Sequence, residues 1–473
     1  MEMEISVKNH ADSIDFSHGY LCRGRHKVTM IAELNLKIQL AIPSTQSVCG
    51  MESNMKTKLF QRDFTMVVIG QIISLFGNNI LRYALPLYLL NLTGSASLYG
   101  LVMALSFIPM LLLEPVGGII ADRVNKRNVM VCLDFFTSGL MLFYLVTYER
   151  FSIVLLLVVV LMLLYGIQGI YQPTVQASIP LLVSSEKLMS GNVVINMVGS
   201  LAQIVGPVLG SLVFTIYGLE KVLFISIICF FISAVMEIFI HIPYKKRASS
   251  GGILRIAADD LKEGWQFIRT GKTEIFPMAL LLTAINMVFS ALIVVGLPIV
   301  VNQQLGFSQN MGNQFYGYAE GILAAGGIIG ALLSGTVSRK INIRHLVILI
   351  IVCTFSLLPI GLVLLFNINS IVSFIIITSS CFVMMAVSSA LSIELITYVQ
   401  KITPPTLTGK IMALLTCLAM CGTPLGQVIY GNLFQAFSGN VSYIFLGTVI
   451  VCLGLCVASH RIFSRLDENV LKN

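Results

Sequence analysis

Residues that could do chemistry are scarce in this 473-residue chain, and several occur together in the segment GGIIADRVNKR, residues 117–127. Asp122 and Arg123 end one apolar run, and Lys126 and Arg127 begin the next. A carboxylate at a helix end can accept hydrogen bonds from neighbouring guanidinium groups or from the N-terminus of another helix. The residues alone leave two interpretations open. The charges form a functional cluster, or they only anchor the helix ends at the membrane surface.

Two further charges lie inside apolar runs. Arg82 is near the middle of the first run, beside Asn78, Asn79 and Tyr83, and Glu114 lies in the second. A charge at mid-bilayer costs about 2.5–3.5 kcal/mol or more, so such residues are functional candidates. We expect Arg82 and Glu114 to face a cleft, with Glu114 carrying a proton. Pairing with a neighbour for packing is the alternative.

Four other acids, Asp134, Glu237, Glu320 and Glu394, lie nearer the ends of apolar runs, where water is close. Asp134 is expected to support the charged loop. The runs contain no histidine apart from His241 near an end, so a proton relay must use carboxylates. We find neither an interfacial His/Asp/Glu cluster typical of an enzyme nor a phosphate-binding loop. We therefore expect no enzyme, no metal and no cofactor, with a proton gradient as the energy source.

Composition identifies the elements that must position these residues. The chain is 56% hydrophobic and 11% charged, whereas soluble domains carry about 25% charged residues. Apolar runs of about 20 residues predict membrane-spanning helices, because backbone polar groups in lipid must be paired internally. The predicted spans are Phe64–Leu90, Leu98–Ala121, Val129–Tyr148, Ile153–Gln172, Val193–Tyr217, Val222–Ile242, Ile275–Val301, Tyr316–Val337, Leu346–Phe366, Ile371–Ile396, Ile411–Phe437 and Tyr443–Ser459.

Charge sets the predicted orientation. From residue 51 onward nearly all loop lysines and arginines fall on one side of the membrane, and the other side receives only Arg150 and Lys221. Cytoplasmic loops collect Lys and Arg, so both termini are predicted to be cytoplasmic. The net charge of +8 is thus a topology feature, and we expect no nucleic-acid partner.

Five segments follow from this pattern. Residues 1–55 are predicted to be a disordered or misassigned extension, 56–242 a first six-helix bundle and 243–273 a cytoplasmic linker with an amphipathic helix. Residues 274–462 form a second six-helix bundle, and 463–473 a cytoplasmic tail. The fold class is therefore an all-α membrane protein, and we expect a monomer in contact with lipid.

The two predicted bundles share a sequence pattern. Gly206 and Gly422 are 216 residues apart, as are Gly210 and Gly426, and the basic loops after spans 2 and 8 show the same separation. Equal offsets indicate an internal repeat of six spans, and parallel repeats around a central cleft are a common transporter architecture. Twelve helices in two pseudo-symmetric bundles are predicted.

The loop pattern has a known counterpart. GGIIADRVNKR resembles the signature between spans 2 and 3 of the major facilitator superfamily, and its matching residues are Gly118, Asp122, Arg123, Lys126 and Arg127. Asn125 stands where many members have glycine, and the second half keeps only Arg339 and Lys340. The resemblance implies a gating loop that ties the two halves together on the cytoplasmic side when the cleft faces outward.

Other segments resemble the macrolide-efflux type of bacterial permease: LTGSAS, QASIPLLVSSEKL, EGWQFI and TYVQKITPPTLTGK. Gly206, Pro207 and Gly210 resemble a span-5 motif associated with antiporters, which implies a hinge or a seal against proton leak, with plain helix packing as the alternative. The implied function is proton-coupled export of a small amphiphilic compound across the bacterial cell membrane. An importer or a lipid or metabolite permease is the alternative, and a membrane-embedded enzyme or receptor a remote one.

Overall fold

The computed structural model describes residues 59–148, 152–243, 275–337, 343–366, 368–403 and 408–470, together with residues 150, 262 and 266. Side chains are described except at 335–337, 343–345, 410 and 462–470. The predicted extension 1–55, most of the linker 243–273, Arg339 and Lys340 lie outside this part of the chain. Within the linker, Lys262 and Gln266 are helical and exposed.

Long helices make up the described chain, and eleven of them are apolar and long enough to cross a membrane. We number them α1 to α11 in chain order. Their bounds are Arg62–Thr93, Ala96–Arg123, Lys126–Thr147, Ile153–Leu182, Leu188–Ile238, Ile275–Gln304, Gln309–Val337, Ile343–Leu365, Ser370–Ile402, Thr408–Ala436 and Ser442–Val470.

The fifth helix contains two predicted spans. Gly218 has a φ of 77° inside Leu188–Ile238, a backbone conformation that glycine adopts without steric cost. The break divides α5 into arms α5a, residues 188–217, and α5b, residues 219–238. Each arm is long enough to cross the membrane, so the lengths of the eleven helices are compatible with the twelve predicted spans.

Several helices differ from the predicted spans. The fourth span was predicted to end at Gln172, but α4 continues through Pro173 and Pro180 to Leu182, because its packing against α2 holds the helix together despite two missing N–H groups. The predicted tail 463–473 starts inside α11, whose backbone is helical to Val470. In α6, π-helical turns occupy Asn286–Ser290 and Val300–Gln304.

Helix packing repeats between the two halves of the chain. In the first half α1 packs on α5, α2 on α4, and α3 on α5; in the second half α6 packs on α10, α7 on α9, and α8 on α11. The repeated glycines make the same contact in both halves. Gly206 and Gly210 face Asn79 and Ile80 of α1, and the second pair, Gly422 and Gly426, faces Met287 of α6. The predicted pseudo-symmetric architecture is confirmed.

The halves meet through α2 against α10 and α5a against α7, two contacts that the same symmetry relates. Large apolar side chains point away from these contacts: Leu112, Leu155 and Ile450 are 65–72% exposed. A surface of this kind is solvated by lipid. The interior between the halves therefore holds the polar residues.

Candidate transport cavity

A cavity of about 820 Å³ lies between the two halves. Its walls come from α1, α2, α4 and α5a of the first half and α6, α7 and α9 of the second. A second space of about 610 Å³ adjoins it and shares Ser200, Gln203, Ser290, Ile293 and Met385 with it. Volumes of 300–1,000 Å³ are typical of small-molecule sites.

Arg82 projects from α1 into this cavity and is held from two sides. Its Nη1 donates a hydrogen bond of 2.5 Å to Oε1 of Gln168 on α4. Its guanidinium carbon lies 4.1 Å from the ring centroid of Tyr165, a cation–π contact worth about 0.5–2 kcal/mol. Both partners belong to the first half, so the guanidinium keeps a fixed position within it.

Tyr83 is next to Arg82 in sequence but reaches across to the second half. Its hydroxyl donates to the backbone carbonyl of Asn313, and its ring stacks on that of Tyr316 with centroids 5.1 Å apart. Glu320 lies one helix turn further along α7, lines the cavity and faces Arg82. A cation from one half and a carboxylate from the other thus share the same space.

Glu114 and Asn79 also line the cavity, as the sequence predicted, while Asn78 does not. Asn78 turns into a small separate cavity beside Asp134. Four of the five predicted cleft residues are therefore brought together, and Glu320 joins them. We placed Glu320 near a span end because span 8 was predicted to begin at Tyr316, whereas α7 begins at Gln309 and carries Glu320 deeper.

Sequence reasoning named Asn79 among the amide side chains of the cavity but missed the others. Gln168, Gln172 and Gln176 follow one another on α4 at intervals of four, and Asn196 and Gln203 face them from α5a. A spacing of four places side chains on one helix face, so this pattern was available in the sequence. The lining combines these amides with methionine, leucine and tyrosine.

Hydrogen bonds join the two halves at one end of the molecule. Ser97 donates to Asn432 at 2.6 Å, Asn91 donates to Asn313 at 3.0 Å, and Gln303 donates to the Gly94 carbonyl. This end, which we call the opposite end, lies across the membrane from residues 121–127, which mark the basic end. The cavity lining reaches about two helix turns from the basic end, at Gln176 and Asn196.

The predicted gating loop is a two-residue turn between α2 and α3. Asn125 caps α3, its side chain accepting from the Arg127 backbone N–H at 3.1 Å, which explains why asparagine suits a position where glycine is common. Asp122 is exposed and forms no ion pair with a residue that the structure describes. Gly118 faces open space, and the close contact of α2 with α4 is made by Gly117.

Gly206, Pro207 and Gly210 lie where α5a crosses α1. A Cβ built on Gly206 would lie 2.5 Å from that of Asn79, so the two helices touch at this point. Pro207 lines the cavity, and its carbonyl faces Gly317 of α7. The motif thus combines close helix packing with a place at the contact between halves, and its role as a hinge or seal stays a prediction.

Asp134 lies away from the loop that it was expected to support. Its Oδ1 accepts from Ser74 at 3.1 Å within the first half, in a buried cluster with Tyr171 and Glu237. Glu237 was expected near water and is 0% exposed. The expectation for Glu237 failed because it counted residues to the helix end without the neighbouring helices that cover this position, and support of the loop by Asp134 stays a prediction.

Comparison with known proteins decides the family. A family model described as Major Facilitator Superfamily matches residues 67–427. The chain belongs to the Major Facilitator Superfamily. As a member of this superfamily it is a multi-pass membrane transporter rather than an enzyme, which agrees with the repeated bundles and the cavity between them.

Among curated major facilitator relatives, the chain is similar to macrolide efflux protein A of Streptococcus pyogenes. The two are 21% identical over 409 residues, which cover 85% of this chain and 97% of the relative. It is also similar to the staphyloferrin A transporter of Staphylococcus aureus (strain NCTC 8325 / PS 47), with 23% identity over 279 residues, 57% of this chain and 66% of the relative.

Solved structures show the same major facilitator fold. The nucleoside transporter NupG matches with a TM-score of 0.67 at 12% identity, covering 85% of this chain and 99% of its own. A bacterial homologue of the iron transporter ferroportin, in an inward-facing state, matches with a TM-score of 0.63 at 17% identity and the same coverage.

Proposed function

We propose that this transporter exports a small amphiphilic compound by alternating access, in exchange for protons. The observation that carries the proposal is the cavity between the halves, which contains Glu114, Glu320 and Arg82 and is bounded by hydrogen bonds at the opposite end. Charged groups inside a membrane protein face a substrate or ion pathway by default. In proton exchange, a carboxylate in the cavity binds a proton when the cavity opens to one side of the membrane and releases it when the cavity opens to the other side.

The lining supports an amphiphilic substrate. Amides on α4 and α5a present hydrogen-bond donors and acceptors along one wall, while Met103, Met110, Leu323 and Met385 supply apolar surface. A compound with an apolar framework and several hydroxyl or carbonyl groups can contact both the apolar and the amide side chains of the lining. A macrolide-like drug or a secreted metabolite has this chemistry, and the similarity to a macrolide efflux protein supports that choice.

Orientation follows from charge. The basic end carries Arg123, Lys126 and Arg127, and lysine and arginine collect on the cytoplasmic side. We therefore place this end in the cytoplasm of a bacterial cell membrane. The described conformation then has its extracellular end closed, and the cavity lining extends toward the cytoplasm. Asp122, exposed here, would pair with the neighbouring arginines or with the second half when the cytoplasmic end closes.

A drug-accumulation panel tests the proposal. Cells that lack their own pumps should accumulate less of at least one macrolide or dye when they express the protein, and an uncoupler should abolish the difference. The matched control is the same vector carrying the locked variant Ser97→Cys/Asn432→Cys, cross-linked before the assay. Lower accumulation that persists with the uncoupler would reject proton coupling. Higher accumulation in expressing cells would favour import.

A further inference from the structure

Helices of the first half enclose two carboxylates that do not line the transport cavity. Asp134 on α3 is 2% exposed and Glu237 on α5b is 0% exposed. No lysine, arginine or histidine of the described chain forms an ion pair with either of them. An ionised carboxylate that is buried without a cation costs several kcal/mol, and the group neutralises by binding a proton instead.

The two acids belong to one buried cluster of polar side chains, in which each acid has its own hydrogen-bond donor. Ser74 donates to Oδ1 of Asp134 at 3.1 Å, and the Tyr171 hydroxyl donates to Oε1 of Glu237 at 2.8 Å. Tyr171 in turn accepts from Nε2 of Gln71 at 2.8 Å. The two carboxyl groups are near enough to repel each other when both are ionised. The groups that face the pair from the neighbouring helices are Gln71 and Ser74 on α1, Tyr171 on α4 and Ser233 on α5b.

Three oxygens of this cluster have no hydrogen-bond partner among the described residues. They are Oδ2 of Asp134, Oε2 of Glu237 and Oε1 of Gln71, and all three are buried. Gln71 is itself 0% exposed. Each of these atoms is an acceptor that lacks a hydrogen, and a buried acceptor without a donor is costly. A proton on one carboxyl group supplies the missing donor and also removes the repulsion between two ionised acids.

A small space beside Asp134 adjoins the transport cavity. A space of about 20 Å³ lies against Asp134 and Tyr171, and one water needs about 10–15 Å³. This space shares Leu75, Gln168 and Gln172 with the transport cavity. Water held there can pass a proton between the cavity and the carboxyl groups without any movement of the backbone.

We propose that Asp134 and Glu237 form an enclosed proton-binding site, which exchanges protons with the transport cavity through water beside Gln168 and Gln172. When the site fills, a hydronium ion gives a proton to Oδ2 of Asp134, an O–H bond forms and water remains; release reverses this step. A hard metal cation is a poorer occupant, since the described residues contain no group of three acids, histidines or cysteines that could hold one. The use of this site in transport rests on the proposed proton coupling, whereas its existence does not.

Infrared spectroscopy of the purified full-length protein tests the site without a substrate. The wild type should show the carbonyl band of a protonated, enclosed carboxyl group at neutral pH. Asp134→Asn and Glu237→Gln should each lose this band, and Tyr171→Phe should shift its frequency because a hydrogen bond to Glu237 is removed. Glu114→Gln and Glu220→Gln are the controls and should retain the band. Glu220 is an exposed acid at the start of α5b, the helix arm that carries Glu237.

Several results would overturn the proposal. One is a band unchanged in both acid variants, or absent from wild type at neutral pH. Another is a thermal unfolding midpoint of the wild type that rises when Na⁺ or Ca²⁺ is added at constant ionic strength. If Asp134→Asn loses this increase, the site binds a metal ion instead of a proton. Because Tyr171→Phe keeps both acids and the ring, an unshifted band in this variant also counts against the site. A transporter that ignores pH gradients but shows the band would reject the proposed coupling alone.

Discussion

Gly100 and Gly431 bring the backbones of two helices from opposite halves into direct contact. A Cβ built on Gly100 would lie 2.8 Å from the Cα of Gly431 and 2.5 Å from the carbonyl oxygen of Gln427. The contact joins α2 to α10 near the opposite end, close to the hydrogen bond between Ser97 and Asn432. Closure of this end therefore depends on the absence of a side chain at residue 100.

Replacing Gly100 should open the opposite end. In Gly100→Leu the added side chain meets backbone atoms that cannot yield, so the closed end loses stability relative to the open one. We expect the open population to grow about tenfold, which corresponds to ~1.4 kcal/mol. Spin labels at Leu92 and Ile368, both exposed at this end, should report longer distances. Gly454→Leu, at an exposed position with open space, is the matched control, and equal distances in all three proteins would contradict the prediction.

Locking the same end should stop transport. The side chains of Ser97 and Asn432 are 2.6 Å apart and exposed, so cysteines at both positions can be joined by a short bifunctional thiol reagent or by oxidation. Alternating access requires these residues to separate in each cycle. We expect complete loss of transport after cross-linking and recovery after reduction of the disulfide. Full activity of the cross-linked protein would show that this contact persists throughout the cycle.

Neutralising Asp122 should favour the conformation described here. The carboxylate is exposed and unpaired with described residues in this conformation, so a charge-assisted hydrogen bond in the other conformation is the interaction that Asp122→Asn removes. Loss of a coupling of ~1 kcal/mol shifts the equilibrium about fivefold. Ser392 lines the second space, on its side toward the basic end. A cysteine at this position should be alkylated faster in Asp122→Asn than in the wild type, and substrate exchange should slow. Glu186 is an exposed acid at the same end, and Glu186→Gln should change neither the alkylation rate nor the rate of substrate exchange. Equal effects of the two variants would show that the loop acts only as a membrane anchor.

Glu114 should be required for proton-driven transport. Glu114→Gln keeps the size and polarity of the side chain but cannot exchange a proton. We expect transport driven by a pH gradient in vesicles to fall to background, while insertion and expression remain at the wild-type level. Glu186→Gln again serves as the matched control. Normal pH-driven transport in Glu114→Gln would remove this residue from the coupling mechanism and direct attention to Glu320, which lines the same cavity.

The architecture could be predicted from the sequence because lipid imposes a simple rule. Apolar runs of about 20 residues must be helices, and the equal offset of Gly206 and Gly422 revealed the repeat that the structure confirms. The π-helical turns in α6 could not be predicted, since local residue preferences do not mark them; the first packs against α10 and the second against α7. The continuation of α4 past Pro173 has the same origin.

Prediction of the site succeeded for isolated charges and failed for clusters. Arg82 and Glu114 stood out because each lies in an apolar run, and both line the cavity. Asp134 and Glu237 are 103 positions apart in the sequence, and only helix packing brings them together. Their nearness to the helix ends suggested contact with bulk water, whereas the neighbouring helices cover both side chains. A single sequence carries no direct record of which helices are neighbours.

The joint at Gly218 gives the first half a mechanical property. One residue connects arm α5a, which touches the second half, to arm α5b, which packs inside the first. Because a single residue joins the two arms, a displacement of α5a at the contact between the halves also displaces α5b inside the first bundle. An inserted flexible segment after Gly218 would absorb that motion and leave each arm intact while uncoupling one from the other.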